Sequence, residues 1–436
     1  MQFRSTKSKE TVVSFKDAVL HCLPPDGGLY VPDQAMDLRQ FFLYMDENIS
    51  YPDFVATIAP SLLQGELNPF SAARVAESAF DFEPELIQLD ENHSILNLYQ
   101  GPTGVFKDFG IAFLAAVMEE LIKNSGQAIV LCAARGDTGA SMARAYCRRK
   151  GITSVLVYPS GPIYGLDPSC FATNGGNIIP IQVQGTFDDC QHLVRETIND
   201  RDFSARHGIT CGNAINPGRL LPQAFYYLYA FIIIKKHLTG DFVFSVPSGN
   251  FGNLIAGLYA WKFGMPVNGF IAAMNVNNAI GDFIAGKPFV PRPVIHTNSP
   301  ALDVSIPSNF ERLAAFYEEA PAVMRNLVYP ASINDELTLW TIEYAMKKYN
   351  IFIDSHTAVA LAAAEQIAAS RKWGAQVHTV TLATGHPAKD ADMVYKATGK
   401  KIDVPEKLLL MQKTVDPIAV IKPQLDAFKE AITSCL

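Results

Sequence analysis

From about residue 93 onward, short unbroken apolar runs alternate with stretches of helical spacing. QAIVLCAA leads into SMARAYCRRKG and then ITSVLVYPS. DFVFSVPS leads into NLIAGLYAWKFG and then VNGFIAAM, and QVHTVTLAT ends at a Gly-His-Pro turn. Strands that are apolar on both faces and alternate with helices predict parallel βαβ units, with the sheet covered on both sides. The first 95 or so residues read as mostly helical, punctuated by PPDGGLYVPD and by Tyr51-Pro52. There is no repeat of solenoid period and no low-complexity segment. The expected architecture is a doubly wound α/β protein with a mainly helical N-terminal region.

In open α/β sheets, ligands gather beyond the carboxyl ends of the strands. Three such ends carry unusual residues. In SVPSGNFGNLIAG a strand over 242–246 runs into Ser248, Gly249, Asn250, Phe251, Gly252 and Asn253 before a helix begins. Glycines there let successive N–H groups converge, and the helix start favours an anion, so a phosphate is the expected occupant. The plain alternative is a tight glycine turn. In LCAARGDTGAS a strand over 128–133 precedes Arg135, Gly136, Asp137, Thr138 and Gly139. Its N–H groups and the Thr138 hydroxyl suit a carboxylate, while an Asp or Thr helix cap explains the same letters. In TLATGHPAKD, Thr384 offers a hydroxyl, and His386 is expected to fix the turn through backbone hydrogen bonds.

A fourth stretch, GPTGVFKDFG, puts Lys107 at the opening of the helix IAFLAAVMEELIK. The helix dipole disfavours a cation there, and Phe106 and Phe109 flank the amine with apolar rings. Lys107 is either a surface residue reaching for water or an amine meant to be neutral. A neutral lysine is the nucleophile that condenses with an aldehyde. A phosphate cradle, a carboxylate cradle and such a lysine together suit pyridoxal phosphate with an amino-acid substrate.

Composition narrows the partners. The 436 residues carry a formal charge of −7 without charge runs, which gives no footprint for nucleic acid or an anionic membrane. At ~100–200 residues per domain, two or three domains are expected. The apolar run YYLYAFIIIKKHL falls short of a membrane span. The opening MQFRSTKSKETVVSF has no apolar signal core and reads as a mature start. Cysteines 22, 132, 147, 170, 190, 211 and 435 show no CxxC, so reduced thiols in a cytoplasmic protein are expected. No Cys or His pair has the spacing of a metal site.

PDGGLYVPD, GPTGVFKDFG, GDTGAS, GGNIIPIQVQGTFDDCQ and AINPGRLLPQAFYY follow one another in this order, and VPSGNFGN, NVNN, SPALDVSIPSNFERL, SHTAVALA and TGHPAKD complete the series. With these motifs the chain closely resembles the threonine synthases, pyridoxal-phosphate enzymes of the tryptophan-synthase-β type (fold type II). The resemblance implies two α/β lobes of mainly parallel sheet, with domains at 1–95, 96–215 and 216–436. It implies Lys107 as the cofactor-linked lysine and catalytic base. Ser248 to Asn253 would hold the cofactor phosphate, Asp137 would contact the ring's 3′ oxygen, and Thr384 the pyridine nitrogen. Gly136, Thr138 and Gly139 would face the substrate carboxylate. The implied reaction converts O-phosphohomoserine and water to threonine and phosphate, in a monomer or homodimer.

The chain departs from the family pattern on the substrate side. Arg135 stands where a small hydroxyl residue is usual. Ser160 and Pro162 replace two basic residues expected to grip the departing phosphate. Asn278 replaces an Asp, and Asp390 an aromatic residue. Arg135 either takes over the phosphate or binds a different group in a paralogue acting on another amino acid (a phospho-amino-acid lyase or a β- or γ-replacement enzyme). A catalytically silent binding protein is a third reading, opposed by the retention of Lys107, the GNFGN turn and Thr384.

Overall fold

The computed structural model describes residues 1–124, 126–371 and 377–435. Two parallel sheets dominate it. The larger has six strands in the order Val328–Ser332, Gly269–Met274, Asp241–Pro247, Val377–Ala383, His93–Asn97, Glu85–Gln88, and the last pair is antiparallel. The smaller has five parallel strands, in the order Ile209–Cys211, Ala128–Ala133, Ile152–Pro159, Ile178–Val183, Ala419–Ile421. Every residue of Ala128–Ala133 and of Gly269–Met274 is buried. That is what strands covered on both faces require.

The helix Lys107–Ile122 runs through the core, with Phe109, Ile111, Phe113, Leu114 and Val117 wholly buried. Its Gly110 is fixed by packing: a Cβ there would sit 2.4 Å from the Arg219 carbonyl oxygen. The YYLYAFIII run forms the helix Ala224–Ile234, buried on nearly all sides. Among the described residues no helix is long and apolar enough to cross a membrane.

Three features differ from the sequence expectation. The N-terminal region is not only helical, because Gln2–Ser5, Val12–Ser14 and Tyr30–Pro32 form a small antiparallel sheet. Strands of three or four residues are too short to display an alternating pattern. The chain also crosses the expected boundaries: Glu85–Gln88, before residue 95, belongs to the larger sheet, and Ala419–Ile421 returns to the smaller one. Finally, Cys147 and Cys170 are joined in a disulfide, so the seven thiols are not all reduced. Packing brings their Cα atoms to 5.5 Å across a separation of 23 residues that carries no motif.

Arg312 ties the N-terminal region to the rest. It is 1% exposed and donates to the Tyr30, Ala214 and Ile215 carbonyls and to Asn309 Oδ1, at 2.6–3.1 Å. Three separate segments thus share one guanidinium. Replacing Arg312 with Met is expected to strand these acceptors and to cost about 3 kcal/mol or more. A lowered urea midpoint, with unchanged stability in a surface control such as Arg39→Met, is the measurement that checks it.

Candidate active site

The GPTGVFK turn is stitched to the end of strand Val377–Ala383. Phe106 N–H donates to the Thr384 carbonyl and His386 N–H to the Gly104 carbonyl, both at 2.9 Å, around a bridge between Val105 and Gly385. Lys107 is therefore the first residue of its helix, close to Thr384. Within the turn, Asp108 accepts from Thr103 N–H at 2.8 Å and from Thr103 Oγ at 2.6 Å. Thr103 Oγ also meets Ser141 Oγ at 2.8 Å.

Lys107 is half-buried, its Nζ 5.7 Å from the Phe106 ring centroid. Phe109 turns the other way, into a cluster with Tyr51, Phe80, Phe82 and Tyr226. Burial lowers the Lys107 pKa; the Asp137 carboxylate opposes the shift, and the Arg219 and Lys389 cations add to it. The alternative of a surface amine reaching for water is not what the fold builds. Burial pushes Asp137 upward, but Lys107 and Lys389 outweigh it and hold its carboxyl below the usual range.

Asp137 opens the helix Asp137–Tyr146, whose N-cap is Gly136 at φ +56°, with no side-chain cap. The helix-cap alternative for Asp137 and Thr138 therefore does not hold. Instead Asp137 Oδ1 lies 2.6 Å from Lys389 Nζ, and Lys389 also donates to the Thr103 carbonyl at 3.0 Å. Gly139 is buried, a Cβ there meeting Ile163 at 3.3 Å. Arg135 and Gly136 are exposed at the mouth of this turn. Among the described residues the Arg135 side chain makes no hydrogen bond or ion pair.

The third element is the turn before helix Gly252–Lys262. Phe251 adopts φ +59°, and Gly249 packs so closely that a Cβ would lie 2.6 Å from the Ala301 carbonyl. The first N–H groups of this helix have no intrahelical partner. Asn253 accepts from the Tyr226 and Tyr227 hydroxyls at 2.6 and 2.7 Å, leaving its buried Nδ2 without a partner. Asn250 accepts from Ser308 N–H at 3.1 Å. Ser248 differs from its neighbours: its N–H completes the sheet with Ala273, and its hydroxyl donates to Val246. It supports the turn, while the donors come from residues 249–253. The turn is linked to the Lys107 helix through Asn253, Tyr226 and Gln223, which lies against Gly110.

Thr384 is 9% exposed, and its hydroxyl has no protein partner among the described residues. His386 accepts from Ala388 N–H at 3.1 Å, as its turn-fixing role requires. Three participants were not singled out from sequence. Lys389 was read only as part of a turn. Arg219 is buried with Nη1 on the Gly212 carbonyl at 2.8 Å and Nε unpartnered. His356 meets Asp354 Oδ2 through Nδ1 at 2.8 Å and accepts from Ala301 N–H at 3.1 Å, bracing the loop beside Gly249. None of the three carried a signal in the sequence, because each takes a partner from another segment.

Comparison with known proteins identifies the family. Residues 94–385 match the family model of pyridoxal-phosphate dependent enzymes. Residues 2–80 and 357–432 match the threonine synthase N-terminal and C-terminal models. Threonine synthase of Escherichia coli is 33% identical over 411 residues, covering 94% of both chains. Its crystal structure superposes with a TM-score of 0.88 over the whole of both chains, at 29% identity. The pyridoxal-phosphate-bound threonine synthase of Brucella melitensis gives 0.87 at 27% identity, covering 100% of this chain and 99% of that one. Matched by these models over most of its length and by a relative 33% identical across 94% of it, the chain belongs to the threonine synthases, within the pyridoxal-phosphate-dependent enzymes.

Proposed function

We propose that the chain converts O-phosphohomoserine and water to L-threonine and inorganic phosphate. The observation that carries the reading is a lysine amine whose pKa burial lowers, beside a carboxylate, a free hydroxyl and a cradle of unpartnered donors. These residues fit pyridoxal phosphate. The orphaned Asn253 Nδ2 and the closely packed Gly249 suit a phosphate, and the unpaired Thr384 hydroxyl suits a neutral ring nitrogen. When bound, pyridoxal phosphate supplies an aldehyde for an amine and an electron sink for the bond that breaks.

The chain supplies position and proton transfer. The N–H groups of Gly249, Asn250, Phe251, Gly252 and Asn253 hold the cofactor phosphate, with Ser248 bracing their turn. Thr384 fixes the ring nitrogen and Asp137 faces the 3′ oxygen. Gly136, Thr138 and Gly139 hold the substrate carboxylate at the start of their helix. With substrate bound, Lys107 would remove the proton from Cα and then from Cβ. Phosphate leaves Cγ, a proton is returned to Cγ to complete the methyl group, the hydroxyl of water adds at Cβ, and a proton is returned to Cα. Arg135 takes the departing phosphate at the mouth of the turn. The protein works in the cytoplasm as a monomer or homodimer.

One observation favours a second reading. Ser160 is exposed and donates its hydroxyl to the Val183 carbonyl at 3.2 Å, and Pro162 has no polar side chain. The two places where the family carries basic residues therefore offer a phosphate dianion nothing. A paralogue acting on another amino acid would have that arrangement. Phosphate release measured with O-phosphohomoserine, phosphothreonine and phosphoserine, with identification of the amino-acid product, separates the two. Threonine formed from O-phosphohomoserine supports the first reading, and turnover of another substrate alone overturns it.

Lys107→Ala is expected to abolish turnover and to leave no borohydride-reducible link between cofactor and protein; a persisting link would assign another lysine. Arg135→Ser removes a charged contact worth on the order of 1.5–3 kcal/mol, so KM for the phosphorylated substrate rises roughly ten- to a hundredfold. Unchanged kinetics would exclude Arg135 as the clamp. The third prediction concerns Lys389→Met. It removes a like charge from beside Lys107 and frees Asp137 to attract a proton there, and both effects raise the proton affinity of Lys107. The midpoint of the pH dependence of cofactor uptake by the apoenzyme then moves to higher pH. A midpoint that stays or falls contradicts this account of the lysine.

A further inference from the structure

A cavity of about 420 Å3 opens beside the start of the Lys107 helix. Its walls are the end of helix Pro69–Ala79 with the residues after it, the helix Lys107–Ile122, and the end of helix Asp137–Tyr146. Arg149 bridges these walls, donating to Ser78 Oγ at 2.6 Å, to the Ser78 carbonyl at 3.0 Å and to Glu119 at 3.0 Å. The remaining charges are unspent. Glu77 and Asp81 stand on the first wall and Arg144 and Arg148 on the third. Among the described residues none of these four side chains makes a hydrogen bond or ion pair, although the field of Arg144 and Arg148 reaches Asp167.

Exposed opposite charges within reach of each other close into ion pairs. Here no ion pair closes between these two walls among the described residues. A simple anion would satisfy the arginines and meet repulsion from the carboxylates, and a neutral ligand would satisfy neither. A small molecule with an ammonium at one end and a carboxylate at the other answers both walls. The floor includes Asp108 and Ser141, only 3% and 1% exposed. Both grip Thr103, whose carbonyl receives Lys389, the partner of Asp137. The floor of the cavity is therefore part of the scaffold that sets the charges around Lys107.

We propose that this cavity binds a free α-amino acid and that its occupancy is transmitted through Thr103 and Lys389 to Lys107. Holoenzyme titrated with each common L-amino acid in a calorimeter tests the site. The pH dependence of its visible absorbance, recorded with and without the ligand found, tests the transmission. At least one amino acid is expected to bind once per chain and to move the absorbance midpoint. Arg144→Gln with Arg148→Gln weakens that binding about tenfold or more and cancels the movement, and Glu77→Gln with Asp81→Asn does the same. These four side chains are exposed, so the variants keep the fold and the unliganded spectrum. No binding, equal affinity in native protein and variants, an equal spectral change in all of them, or equally tight binding of inorganic phosphate would each overturn the proposal.

Discussion

The bridge between residues 104–106 and 384–386 decides where the chemistry can happen. Its two hydrogen bonds join the turn that carries Lys107 to the residues just beyond a strand far away in sequence. Because they are backbone bonds between buried segments, the lysine and the Thr384 hydroxyl are placed by main chain, not by flexible side chains. Lys389 extends the hold. It leaves the same strand end, takes the Thr103 carbonyl, and ends on Asp137 at the edge of the smaller sheet. Elements of both sheets are thereby held to one point, and a site built this way sits on rigid elements as catalysis requires.

The same point is electrostatically one-sided. Lys107 lies at a helix N-terminus, where the backbone already disfavours a cation. Arg219 and Lys389 add positive charge, and the buried surroundings of Lys107 strip away water. Asp137 is the counterweight, yet Lys389 occupies one of its oxygens. The balance leaves the amine as the cheapest place to lose a charge. A positive surrounding that lowers the proton affinity of a lysine also attracts anions. The charges that lower the proton affinity of Lys107 therefore also favour a phosphate and a carboxylate.

The larger strands could be read from sequence because they are buried on both faces, so runs such as AIVLCA and GFIAAM carry no competing polar period. The turns after them could be read because glycine and small polar residues there have few structural uses. What stayed hidden was set by contacts between distant segments. QFRS, VVS and YVP become a sheet only by pairing with each other. Ala419–Ile421 reaches the smaller sheet from the far end of the chain. Phe106 shields Lys107, but Phe109, with an identical local setting, faces the aromatic core. Lys389 looked like turn composition, and its partners lie in two other loops. The Cys147–Cys170 pairing depends on where one helix ends against a neighbouring loop.

The expected cofactor side and the expected substrate side of the site are held in different ways. Gly110, Gly249 and Asn253 are locked by backbone atoms or buried tyrosines within 2.4–2.7 Å of the atoms concerned. A substitution there disturbs the core before it alters chemistry. Arg135 and Ser160 are exposed at loop tips, Arg135 without a side-chain bond and Ser160 with a single bond to a carbonyl. Exchanging such residues leaves the fold almost untouched. Specificity can therefore drift at the mouth of the site while the lysine, its cradle and the bridge beneath them remain fixed by packing.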